Sequence, residues 1–119
     1  MLHVPGDVRE AIAFYGRAFG ATPAWSTPPA EDMVAQLRIE GAEFWLHPAS
    51  DAIGNPAPKQ TGGTAVRLML IVDDPDALFD QAVSAGAVVR SPMQDRDYGW
   101  RDGSIVDIYG HRWEIGKPL

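Results

Sequence analysis

A single internal duplication constrains this chain more than any other feature. Near the start, LHVPGD leads into VREAIAFYGRAFGA, which reads as a short apolar strand, an Asp cap and an amphipathic helix stopped by Gly20. Near the middle, VRLMLIVDD leads into PDALFDQAVSAGA, with Asp74 as cap, Pro75 at the first helical position and Gly86 as stop. The caps Asp7 and Asp74 stand 67 residues apart, and the stops Gly20 and Gly86 stand 66 apart. After each helix comes material for three short strands: TPAWS, EDMVAQLRIE and AEFWLHP in the first half, then AVVRSP, GWRDGSIVD and HRWEIG in the second. The segment ASDAIGNPAPKQTGG between the halves is rich in Pro, Gly and small polar residues and reads as a linker. The expected fold is α+β: two βαβββ modules whose curved mixed sheets surround a cleft, with the helices outside. One domain, 1–119, then divides into module one at 1–48, a linker at 49–63 and module two at 64–119.

Composition narrows the function classes. A chain of 119 residues with 45% hydrophobic residues suits one globular domain that buries roughly two thirds of its unfolded surface. Sixteen acidic residues against ten basic ones give a formal charge of -6, which argues against nucleic acid or an anionic membrane as partner. The absence of cysteine excludes disulfides, thiolate metal sites and thiol nucleophiles. No run reaches membrane-spanning length and no basic stretch precedes an apolar one at the start, so a cytoplasmic location is the expectation. Motifs of the GxGxxG, GxxxxGK, GxSxG and HExxH types are missing, and Ser104 has no His and acid at recognisable spacing.

The closing segment carries the residue that most needs a role. Ile105, Val106 and Ile108 form a β-prone run, Tyr109 and Gly110 supply a turn, and His111 to Ile115 alternate in a second strand. Alternation puts Arg112 and Glu114 on one face and His111, Trp113 and Ile115 on the other, so Glu114 is a carboxylate among apolar neighbours. Phe14, Tyr15 and Phe19 lie at core-packing helical spacing, and Phe44 and Trp113 are expected beneath the helices. The charged run from Asp95 to Asp102 reads as a solvated connection that also carries Tyr98 and Trp100.

These strings resemble the vicinal oxygen chelate superfamily, the glyoxalase, bleomycin-resistance and extradiol dioxygenase group. AIAFYGRAFGA is similar to its helix after strand one, VDDPDALFDQAVSAGA to the second-module counterpart, and the end of the chain to its closing D-P-x-G-x-x-x-E/I pattern. Asp107, Gly110 and Glu114 match that pattern, while Ile108 replaces the usual Pro. Catalytic members hold a divalent ion by four side chains, one each from the first and last strand of both modules. The resemblance places those positions at or just before Met1, at Trp45, at Arg67 and at Glu114, of which only Glu114 is a ligand type. Arg67 carries a permanent charge and is expected to pair with Glu114 where the ion would sit. The remaining metal alternative is His3, His47 and Glu114, which depends on the register of the first strand.

The first functional expectation is therefore a binding protein of the bleomycin-resistance type, sequestering an aromatic or cationic compound without a metal cofactor. Its contacting residues would be Trp45, Arg67, Met69, Trp100 and Glu114, with Trp25 in support. The alternative is a lyase, isomerase or dioxygenase of the glyoxalase type, dependent on a divalent metal ion; a metal-free variant would use Glu114 as general base. A third reading has no small ligand and acts through its dimer. In each case the resemblance implies a homodimer, with modules exchanged between chains as an open alternative.

Overall fold

The computed structural model describes residues 1–119. The first half forms β1 (Leu2–Val4), α1 (Val8–Phe19), β2 (Thr22–Ser26), β3 (Ala35–Ile39) and β4 (Ala42–Pro48). The second repeats the order with β5 (Arg67–Ile71), α2 (Pro75–Ser84), β6 (Val88–Asp95), β7 (Trp100–Val106) and β8 (Arg112–Pro118). Each half is a four-stranded mixed sheet, ordered β1-β4-β3-β2 and β5-β8-β7-β6. In each, the first and last strands pair in parallel and the remaining pairs are antiparallel. This is the expected pair of βαβββ modules.

The helix limits follow from their caps. Asp7 accepts a hydrogen bond from the Arg9 amide at 2.8 Å, and Asp74 from the Ala77 amide at 3.2 Å, satisfying donors that the first helical turn leaves free. Gly20 ends α1 in the left-handed region at φ 68°, where a β-carbon would be strained.

The two modules share one core. Val8, Ala11, Phe14, Tyr15, Ala18 and Phe19 of α1 are all buried, the stripe its spacing predicts. Phe44 of β4 and Trp113 of β8 meet beneath them, their ring centroids 5.6 Å apart. Tyr15 lies 5.4 Å from Phe44 and 6.0 Å from Trp113, so rings from both halves form a continuous cluster. Each such large side chain, fully buried, contributes roughly 1.5–3 kcal/mol.

Asp107 ties this core together. Its Oδ1 accepts from the amides of Tyr109 and His111 at 2.8 and 3.0 Å, fixing the turn before β8. Its Oδ2 accepts from the Tyr15 hydroxyl at 2.6 Å and the Trp113 indole at 2.9 Å. Burial, and then the neighbouring Asp107 charge, push the Tyr15 hydroxyl well above the ordinary phenol range, so it stays a donor. The segment between modules is more structured than its composition suggests. It makes two single 3₁₀ turns, Asp51–Ile53 and Pro58–Gln60, and Pro58 and Lys59 pack close against Gly110.

Candidate functional site

The open face of the second sheet, opposite its helix, holds a polar recess. Along β8, Trp113 and Ile115 enter the core, which leaves Arg112 and Glu114 on the open face. Strand register sets Arg67 of β5 beside Arg112, and Ser104 of β7 beside Glu114. On β6 the pairing slips: Val89 stands opposite Ile105 and Ser91 opposite Ser104, so the strand carries one extra residue, Arg90. Such a bulge breaks the alternation, and here Arg90 and Ser91, neighbours in sequence, line the same recess. The turn after β6 closes one side with Arg96 and Tyr98. The recess is open on one side, has a volume of about 330 Å³, and nearly every lining residue is polar.

Two ion pairs organise the charges. Arg67 Nη1 donates to Glu114 Oε1 at 2.5 Å. Arg96 Nε donates to Asp102 Oδ1 at 2.8 Å, and its Nη2 to Ser91 Oγ at 3.0 Å. Tyr98 completes the second pair by donating to Asp102 Oδ2 at 2.9 Å, a bond that raises the phenol above its usual value. The Arg67–Glu114 pair is exposed and contributes at most about 1 kcal/mol to stability, whereas Arg96–Asp102 is largely shielded from solvent, with Asp102 buried. Their consequence is chemical: both carboxylates of the recess are occupied. Arg90 and Arg112 make no ion pair, and Arg112 Nε is buried without a hydrogen-bond partner.

The expected site residues are only partly brought together. Arg67 and Glu114 meet. Trp45 lies on β4 of the other sheet, opposite Gln36 and 5.8 Å from Trp25, and does not line the recess. Met69 stands beside Glu114 in register but outside the recess, 42% exposed on the edge strand. Trp100 sits at the start of β7 opposite Pro118, and the run from Asp95 to Asp102 contributes Arg96 and Tyr98 instead. That run is therefore more than a solvated connection. Sequence reasoning put Arg112 on the face of Glu114 without assigning it a role, and passed over Arg90 and Ser91. A bulge leaves no mark in an alternation pattern, so only the unusual count of arginines around one strand could have signalled them.

Within one chain the donors expected for a divalent ion lie apart. With Leu2 and Val4 buried, His3 turns to the opposite face, and its ring lies 6.1 Å from that of His47. Each imidazole has a backbone carbonyl within reach, Pro56 O at 3.3 Å from His3 and Pro48 O at 2.8 Å from His47. Glu114, on the second sheet, is bonded to Arg67, so a single copy of the chain does not gather the three. No group of three or more His, Asp or Glu side chains is arranged to hold an ion. A guanidinium cannot ligate, and the residues at this position do not fit a metal centre.

Comparison with known proteins agrees with the fold. Residues 2–115 match the Glyoxalase/Bleomycin resistance protein/Dioxygenase superfamily. An uncharacterized protein of Mycobacterium bovis is 36% identical over 98% of this chain and 80% of its own length. A Mycobacterium tuberculosis counterpart has the same identity, with 71% of its length covered. Among solved structures, TioX from Micromonospora sp. is similar with a TM-score of 0.72 at 23% identity, over 100% of this chain and 96% of that one. A hypothetical protein from S. aureus reaches 0.76 at 20% identity, over 98% and 88%. The fosfomycin resistance protein FosX from Listeria monocytogenes, solved with Mn(II) and a dihydroxypropylphosphonic acid, has a TM-score of 0.67 at 14% identity, over 100% and 90%. With the duplicated module, the shared aromatic core and the match over nearly its whole length, this chain belongs to the glyoxalase, bleomycin-resistance protein and dioxygenase superfamily.

Proposed function

We propose that this protein binds a small molecule without a metal ion and sequesters it rather than transforming it. The observation that carries this reading is the Arg67–Glu114 pair, in which a guanidinium takes up the one carboxylate left at the family's ligand positions. In this reading no Lewis acid polarises a substrate oxygen, and binding rests on side chains alone. Trp25 and Trp45 support the binding role, because adjacent indoles on an open sheet face offer a flat ligand stacking worth roughly 0.5–1.5 kcal/mol beyond burial. With Glu114 neutralised by Arg67, neutral or anionic aromatic compounds fit better than cationic ones. The working unit of this reading is a homodimer. Met69 and Ile71 on the edge strand β5 are 42% and 60% exposed, apolar surface that a second copy would cover.

Metal analysis of protein purified without chelator tests the reading. Zinc, nickel, manganese and iron should each fall well below one equivalent, and EDTA should leave the melting temperature unchanged. A stoichiometric, tightly held ion would overturn it in favour of a metal-dependent enzyme. Sedimentation should give a dimer at micromolar concentration, and a monomer there would remove the dimeric cleft.

A further inference from the structure

The charge balance of the recess runs against that of the whole chain. The protein carries a formal charge of -6, yet this one recess is lined by four arginines and two carboxylates. Arg67 and Arg96 are neutralised by Glu114 and Asp102. Arg90 and Arg112 are left over, gathered there by a β6 bulge and by the β8 alternation.

Arg112 is the sharper anomaly. Its Nε is shielded from solvent and donates to nothing, although buried polar atoms almost always find a partner; the rest of the side chain is partly exposed and also borders the neighbouring groove at Thr61–Ala65. The missing partner must accept a hydrogen bond, and with Arg90 and Arg112 both free of ion pairs an anionic oxygen suits the position best. A guanidinium fork matches the paired oxygens of a carboxylate or phosphoryl group. The hydroxyls complete the set: Ser91 Oγ already accepts from Arg96, so its proton is free to donate, and Ser104 lies across from it on β7.

We propose that this recess is an oxyanion site in which Arg90 and Arg112 hold the carboxylate or phosphoryl head group of a small ligand, with Ser91 and Ser104 donating hydroxyls. The proposal rests on the binding reading above and deepens it by naming the ligand class. Two uncompensated guanidiniums favour a dianionic phosphoryl group over a monoanionic carboxylate. A volume of about 330 Å³ suits a head group with one small ring, not a polymer.

Calorimetry with four probes that share a phenyl ring tests it: phenylphosphonate, benzoate, benzamide and benzylamine. The two anions should bind at least about tenfold more tightly than the neutral and cationic probes, with phenylphosphonate ahead of benzoate and displaced by inorganic phosphate. Arg90→Gln and Arg112→Gln should each weaken anion binding about tenfold and leave benzamide unchanged. Arg112→Lys, which keeps the charge and loses the fork, should recover part of the loss. In the native protein the Arg112 Nε–H resonance should move on adding phenylphosphonate. Equal affinity for all four probes, binding of none, or indifference of the anions to both Gln substitutions would overturn the proposal. Equal affinity would leave metal-free binding standing, whereas anion binding accompanied by a stoichiometric metal would overturn metal independence and leave the oxyanion site.

Discussion

The open faces of the two sheets are built on the same backbone and carry opposite chemistry. Both contain the same bulge, between Pro23 and Trp25 in β2 and between Val89 and Ser91 in β6. Register then equates Trp25 with Ser91, Gln36 with Ser104 and Trp45 with Glu114. The bulge residue itself is Ala24 in one sheet and Arg90 in the other. Glu43 pairs with Arg38 on the first face, and the equivalent Arg112 of the second has no acidic partner. One face is thus a pair of indoles with an internally satisfied polar edge, and the other is a guanidinium-lined recess. The lesson is that duplication preserved what the core demands, namely strand order, caps and the inward residues Phe44 and Trp113. Outward positions have no packing partner to hold them, so they diverged into two halves of different chemistry.

The largest test of this comparison addresses the tie between halves. Asp107 accepts four hydrogen bonds, and the corresponding β3–β4 turn, Glu40–Gly41, has no counterpart. Asp107→Ala leaves buried donors of Tyr15 and Trp113 unsatisfied and should destabilise the protein by about 3 kcal/mol or more in urea unfolding. A loss below about 1 kcal/mol would show that the modules are held together by apolar packing alone.

Next in size is Gly116 of β8, whose counterpart on β4 is His47. A β-carbon at Gly116 would lie 2.6 Å from the Arg101 carbonyl oxygen and 2.7 Å from Asp102 Cβ. Gly116→Ala should therefore cost about 1–3 kcal/mol and weaken the Arg96–Asp102 pair, whereas His47→Ala should change stability by less than about 1 kcal/mol. Thermal melts of the two variants check the contrast.

Trp45→Ala should weaken an aromatic ligand by about tenfold, or ~1.4 kcal/mol, without changing the melting temperature by more than a few degrees. Fluorescence titration reads the affinity. If the ligand is indifferent to Trp45, the aromatic face takes no part in binding and the recess acts alone.

The smallest expected effect is an acid one. Arg101 joins Asp76 at the start of α2 by bonds of 2.7 and 2.8 Å, and these bonds hold the Asp76 carboxyl below its usual value of 3.8. A depressed carboxyl contributes stability that is present above the unfolded value and lost as pH falls through the folded one. The loss should thus set in below about pH 4, and Arg101→Gln should flatten that limb of the urea midpoint against pH. Asp76 is half exposed, so solvent screening keeps the effect small. α1 has no such brace across to its sheet, since its first-turn pair, Arg9–Asp7, is local.

Much of the site was legible because strand alternation is a strictly local rule. The faces of Trp45, His47, Arg112 and Glu114 follow from counting by twos, Trp45 and Glu114 correspond when one module is laid over the other, and the Arg67–Glu114 pair was implied by the ligand positions of the family the chain resembles. Arg90 was illegible because the bulge that turns it inward depends on which β7 residue each β6 residue meets. Arg96 and Tyr98 were illegible for a related reason: a charged run ending in Tyr-Gly-Trp shows a turn, and only the folded turn shows which ring and which guanidinium return to the sheet. Asp107 could be matched to a family pattern, but its four bonds come from residues as distant as Tyr15, 92 positions away.

By itself, the sequence determined the duplicated βαβββ order, the helix caps, the inward stripe of α1 and the scarcity of metal ligands. The caps and the stripe depend on residue type and spacing within a dozen or so positions, where backbone geometry leaves few alternatives, while the duplication shows in the repeat of those local signals and the ligand positions come from the family resemblance. Only the tertiary structure decided that Trp45 and Glu114 lie on different sheets of one chain, that the His3 and His47 rings approach each other, and that two arginines share a recess without an acid to balance them. Those outcomes depend on register shifts and on how the modules dock, and the energies that set them are sums over contacts between residues far apart in the chain.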